Sequence, residues 1–173
     1  MDNFASILES NIFTTLRAFL LTLVGCPVIR VPVNRVAMPL GDFIAMSPGR
    51  FKRLGTNTDE VTGITTETTL MPTEITIQLD CYGDSAMDRA TSISALFRDS
   101  LAVESFELSG FDIAPLYATD PQQMPLSSGE DQYIERWMFE CVMQFNPVVT
   151  SNILTTSTGP TVGIVNVDRT YPA

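Results

Sequence analysis

The sequence predicts an α+β fold: a mixed, mainly antiparallel sheet with two α-helices on one face, plus a long hairpin or loop and an extended C-terminal arm. Three observations predict it. Phe4, Leu8, Ile12, Leu16, Phe19 and Leu23 recur at steps of three or four residues, which places them on one face of a helix. Apolar and polar residues alternate over residues 74–81, the pattern of a half-buried strand, and residues 133–145 form the strongest strand of the chain, with a largely apolar face at every second residue. The elements run helix, strands, helix, strands, and a doubly wound fold would need more crossovers.

The first helix is expected over residues 3–24, stopped by Gly25 and Pro27. Residues 28–31 then read as a short strand, and residues 42–48 as a second one. The stretch 49–69 is polar, rich in Gly and Thr, and brings Arg50, Lys52 and Arg53 close together. A segment of this length reads as a long hairpin or a mobile loop with a task. Ile75, Ile77, Leu79 and Cys81 alternate with Glu74, Thr76, Gln78 and Asp80, giving a strand with one wet face. Asp84 is expected to cap the next helix, with Asp88 in its first turn complementing the dipole. Ala86, Ala90, Ile93, Phe97 and Leu101 form the expected buried stripe of that helix. A short strand over 111–117 and a loop over 118–132, punctuated by Pro121, Pro125 and Gly129, lead to the strongest strand, 133–145. There Trp137, Phe139, Cys141, Met143 and Phe145 face one way and Arg136, Met138, Glu140, Val142 and Gln144 the other. Residues 1–147 are expected to form the α+β domain and 148–173 an extended arm, whose "TVGIVNV" stretch, with Val162, Ile164 and Val165, suits addition to a sheet edge.

Composition excludes several classes of function. The chain carries ten Lys and Arg against twenty Asp and Glu, a net charge of -10. Such a chain is a poor general binder of nucleic acid, whose affinity comes from cations displacing counterions. There is no histidine, which removes the commonest general base and the commonest metal ligand. Cys26, Cys81 and Cys141 lie far apart and read as reduced, buried thiols rather than a disulfide or a zinc site. No basic segment precedes the apolar run 18–25, which is too short to span a membrane. A soluble protein made in the cytoplasm is expected.

The turn "CYGDSAMD" joins a strand to a helix, as many phosphate sites do. It holds a single glycine, and an aspartate stands where an anion would sit. Asp80, Asp84 and Asp88, with Glu74 upstream, could hold Mg²⁺ in a carboxylate-metal nuclease, but they fall on a strand, a turn and a helix. Cys81 and Cys141 fall on core-facing strand positions, where a thiol is inert by default, and no G-x-S-x-G motif occurs. No catalytic, metal or cofactor-binding residue is therefore assigned, and no cofactor is expected. Arg50, Lys52 and Arg53 form the one basic spot of an acidic chain. With Thr56, Asp59, Glu60, Val162, Ile164 and Val165 they are the candidate partner-binding residues.

The segment "EITIQLDCYGDSAMDRATSISALFRD" resembles the strand–turn–helix of the bacteriophage neck or tail terminator family, where a D-x-Y/F-G strand end runs into an A-x-D-x-A helix start. "GEDQYIERWMFECVMQFNP" looks like that family's late strand, with its Glu-Arg-Trp core and closing Asn-Pro. "RLGT", residues 53–56, looks like its loop. The resemblance spans most of residues 1–147. It implies a structural virion protein, not an enzyme: a hexameric ring that caps the tail tube, stops its polymerisation and joins it to the neck or head connector. Implied partners are further copies of the chain, the tail tube protein, the neck or head-connector protein and the sheath protein. DNA would pass through the lumen without specific binding, and no membrane is involved. Another neck or baseplate component, a carboxylate-metal nuclease and a peptide-binding adaptor remain the alternatives.

Overall fold

A computed structural model describes residues 6–31, 39–61, 66–124, 126–127 and 133–152. Its first helix, α1 (Glu9–Leu23), buries Ile12, Phe13, Leu16, Phe19 and Leu20. It is shorter than the apolar periodicity predicts, and Phe4 lies outside the described residues. Leu8 is already extended, at φ -91° and ψ 159°. The Asn11 side chain accepts its N–H at 2.8 Å, satisfying a donor at the helix start. Upstream, Ser6 is drawn onto residue 148: the Val148 carbonyl accepts the Ser6 N–H at 2.8 Å, and the Ser6 hydroxyl accepts the Val148 N–H at 2.9 Å. That exchange pulls the chain out of helical register.

Strands β1 (Val28–Arg30) and β2 (Phe43–Arg53) pair in parallel. The expected hairpin forms beyond them. β3 (Thr58–Val61) and β4 (Thr66–Leu70) are antiparallel, and β5 (Thr73–Tyr82) returns along β2. Helix α2 (Ala86–Leu96) follows a turn at Gly83 and Asp84. Its N-cap is Ser85, not Asp84, and no side chain closes the cap. Asp88 does occupy the first turn.

The second helical stretch is not continuous. It breaks after Phe97, and α3 (Ser100–Glu107) restarts where Asp99 Oδ1 accepts the Ser100 N–H at 2.6 Å. An aspartate cap begins a new helix axis here. Leu101, expected in the buried stripe, is consequently 42% exposed, and Ala102 and Phe106 face the core instead.

The chain continues through β6 (Ile113–Ala118), β7 (Gln122–Gln123), β8 (Leu126–Ser127), β9 (Tyr133–Ile134), β10 (Arg136–Phe145) and β11 (Val148–Asn152). Two of these short strands lie in the stretch expected as loop: β7 pairs with β10 and β8 with β9. The main sheet runs β1-β2-β5-β10-β6, and every pairing except β1–β2 is antiparallel. The fold is thus α+β with a mixed, mainly antiparallel sheet.

One core lies between this sheet and the helices. Ile77, Leu79, Cys81, Phe139, Cys141 and Met143 contribute from the central strands. Phe19, Phe97 and Phe106 meet edge-to-face at centroid distances of 5.9–6.1 Å, tying the three helices together. All three cysteines are free and buried. Burial pushes the Cys81 thiol up to about 12, and raises Cys141 well above its ordinary value and Cys26 less far.

Candidate functional site: a strand end, an arm and a depression

The three central strands do not stop at the edge of the core. The last aligned row of the main sheet is Arg53–Thr73–Phe145, and the first row of the second sheet is Thr58–Leu70–Val148. Between the rows, the Pro72 carbonyl accepts the Leu54 N–H at 3.0 Å and the Pro147 carbonyl accepts the Met71 N–H at 3.1 Å. Strands β3, β4 and β11 therefore continue β2, β5 and β10 past a break at two prolines, which lack the N–H a ladder needs. The result is a three-stranded arm about 17 Å long, from five residues at about 3.4 Å each. Neither β3 nor β4 buries a residue, and all of β3 is exposed.

The expected partner-binding residues gather where this arm begins. Arg50, Lys52 and Arg53 are exposed at the end of β2, Thr56 is exposed in the connection, and Asp59 and Glu60 are exposed on β3. Asp59 accepts a hydrogen bond from the Thr69 hydroxyl at 2.8 Å. Val162, Ile164 and Val165 lie outside the described residues.

The remaining described cations are all engaged. Arg30 pairs with Glu9 at 2.6 Å and lies over the Phe13 ring. Arg17 and Arg98 donate to the Val28 and Ala118 carbonyls. Arg89 pairs with Asp42, and Arg136 with Asp80 at 2.9 Å. Among the described residues, unpaired positive charge is confined to Arg50, Lys52 and Arg53. Lys52 stands across from Glu74 in the β2–β5 register without closing an ion pair.

The candidate metal carboxylates do not converge. Asp80 is buried on the helix-free face of β5, held by Arg136 and by the Gln78 amide at 2.9 Å. Asp84 is exposed in the turn and Asp88 exposed on α2. No group of three or more potential metal ligands occurs among the described residues.

One feature carried no sequence signal. At the end of the main sheet opposite the arm, the approach to β2, the β5–α2 turn and β9 enclose an open depression. Its wall is the stacked pair Phe43 and Tyr82, with centroids 4.4 Å apart and planes 13° apart. Leu40, fully exposed, and Ile134 add apolar surface, and Asp84 and Glu135 line it with carboxylates. Residues 40, 82 and 134 are far apart in sequence, so only the folded sheet joins them.

A family model described as "phage neck terminator protein" matches residues 10–169. The chain belongs to this family. The match begins within α1 and runs past the last residue of β11, so it takes in the three-stranded arm as well as the packed domain. No curated protein matches the chain. Membership makes the chain a structural neck protein of a bacteriophage, of a family that implies contact with other head and tail proteins. No helix among its described residues is long and apolar enough to cross a membrane.

Proposed function

We propose that this protein caps the tail tube: it forms a hexameric ring on the last tube ring, stops polymerisation and joins the tube to the head connector. The observation that carries this reading is the neck-terminator match over residues 10–169. The geometry supports it. A three-stranded arm that buries no residue of β3 or β4, and whose β3 edge is unpaired among the described residues, has little reason to persist in a free monomer, because open edges invite pairing with other chains. The ring reading gives it neighbours. A net charge of -10 suits a channel through which DNA slides without sticking.

In this reading Arg50, Lys52, Arg53, Thr56, Asp59 and Glu60 form the docking surface toward the tube, the sheath or a neighbouring copy. Residues 162–165 add to a neighbour's sheet edge. The protein performs no catalysis.

The deciding experiment is electron microscopy of particles assembled without this protein. Over-long tubes unjoined to heads are the expected result. Tubes of normal length overturn the capping role and move the protein to a neck adaptor or baseplate part. The same assay on a chain ending at residue 152 tests the C-terminal segment: normal length and normal joining remove its assigned role.

A further inference from the structure

We propose that the cationic end of β2 in one copy docks into the acid-lined depression at the opposite end of the sheet in the next copy. This deepens the ring reading above and rests on it, because it names the surfaces through which identical chains meet.

The first argument is electrostatic. Two copies of a chain with net charge -10 repel unless the contact places positive charge on one side. Among the described residues the cations free to do so are Arg50, Lys52 and Arg53, all exposed on one strand end. Phe51, 58% exposed, turns to the strand face opposite Lys52, where its ring meets Phe145 edge-to-face at 5.8 Å.

The second argument is the shape and charge of the receiving site. The depression offers an apolar wall of Phe43, Tyr82, Leu40 and Ile134. Asp84 and Glu135 on its lining are met by no described cation, since Arg89 is engaged with Asp42 and Arg136 with Asp80. The Glu135 carboxylate accepts one hydrogen bond, from the Trp137 indole at 2.8 Å, and keeps its charge uncompensated.

The third argument is placement. Phe43 begins β2 at the depression and Arg53 ends it at the basic patch. Ten residue steps of about 3.4 Å separate the two by about 34 Å. A rigid strand holds the complementary surfaces apart, so they cannot meet within one chain. Between copies they form a head-to-tail contact of different surfaces. Such contacts close into a ring when the rotation between copies divides a full turn.

Lys52 is the only lysine in the chain, which makes the contact directly testable. A zero-length carbodiimide joins an amine to a carboxylate it touches. Equal amounts of ¹⁴N- and ¹⁵N-labelled protein, at low salt and about 1 mM, would populate even a contact of millimolar Kd. Mass spectrometry of the peptides then separates links between chains from links within one. Links between chains from Lys52 to Asp84 and Glu135 are expected. A link within one chain from Lys52 to Glu74, its cross-strand neighbour, verifies the coupling.

Arg50→Glu with Arg53→Glu, which keeps Lys52 and both carboxylates, should lower the interchain yield about tenfold, the effect of about 1.4 kcal/mol, whereas Asp84→Arg with Glu135→Arg removes the reacting carboxylates and so abolishes these links by itself. Mixing the two variants should restore it, from Lys52 of the second to Asp84 and Glu135 of the first. Lys52 linked between chains only to other carboxylates, or only within its own chain, overturns the contact. If sedimentation shows a ring while these links are missing, this interface falls and the ring reading stands. The tail-length experiment judges the capping role separately.

Discussion

Replacing Arg136 by methionine should destabilise the protein far more than a surface ion pair would suggest. The Asp80 side chain is 5% exposed, and the Arg136 guanidinium meets its Oδ1 through both Nη2 at 2.9 Å and Nε at 3.0 Å. Removing the cation leaves a carboxylate in a dry position with one remaining donor, the Gln78 amide at 2.9 Å. Breaking a buried pair from one side costs about 3–5 kcal/mol. The lower end applies, because the Arg136 side chain is itself 23% exposed and Gln78 keeps its bond. The expected loss is therefore about 3 kcal/mol, roughly two powers of ten in the folded-to-unfolded ratio.

Asp80→Leu should cost less, because Arg136 can turn its guanidinium toward water. In the Asp80→Leu background, adding Arg136→Met should cost only about 1 kcal/mol, the worth of its packing and of its approach to the Tyr82 ring at 5.8 Å. The assay is urea unfolding of the four proteins at neutral pH, with midpoint and slope fitted separately. A single Arg136→Met loss below about 1 kcal/mol at unchanged slope would refute the reasoning. So would equal losses in the two backgrounds, since the carboxylate would then not be what Arg136 protects.

Gly83 sits at φ +102°, and a Cβ there would fall 1.8 Å from Asp42 Oδ1 and 3.1 Å from its Cα. Gly83→Ala should cost about 2 kcal/mol of backbone strain, lowering Tm by about 4–8 °C, and calorimetry showing no change would exclude a tight approach at that turn. The thiols supply a pH dependence. Folding holds Cys81 protonated up to about 12, against an ordinary value of 9.0, so the folded state binds more protons than the unfolded one above about pH 9. Stability should then fall as pH rises from about 9 toward 12, by about 1.4 kcal/mol per pH unit for each thiol so held. Titrated denaturation of Cys81→Ala should show a shallower alkaline decline, and an identical decline would place the effect elsewhere. Native protein at pH 8 should also resist alkylation at all three cysteines, as measured by mass after iodoacetamide.

The sequence by itself determined whatever follows from periodicity and composition. The stripe of α1, the alternation of β5 and β10 and the turn before α2 are local patterns, and burial against one core makes their periods binding. The inert thiols of Cys81 and Cys141 follow from their core-facing strand positions, and Arg50, Lys52 and Arg53 could be read as the basic spot of an acidic chain. Breaks in those patterns were harder to read. Periodicity runs on through Leu8 and Leu101, but a Ser6 bond to residue 148 and an Asp99 cap end the helices there. The Asp99-Ser100 pair was the available signal.

Only the tertiary structure decided which charges remain free. Arg30, Arg89 and Arg136 look no different in sequence from Arg50 and Arg53, and their partners are 21, 47 and 56 residues away. The arm and the depression are decided in the same way. They form where distant strands end together, and the pairing of strands across long stretches of chain has no local signature. What a single residue prefers is written near it in the chain, whereas which residues share a surface depends on how the whole sheet closes.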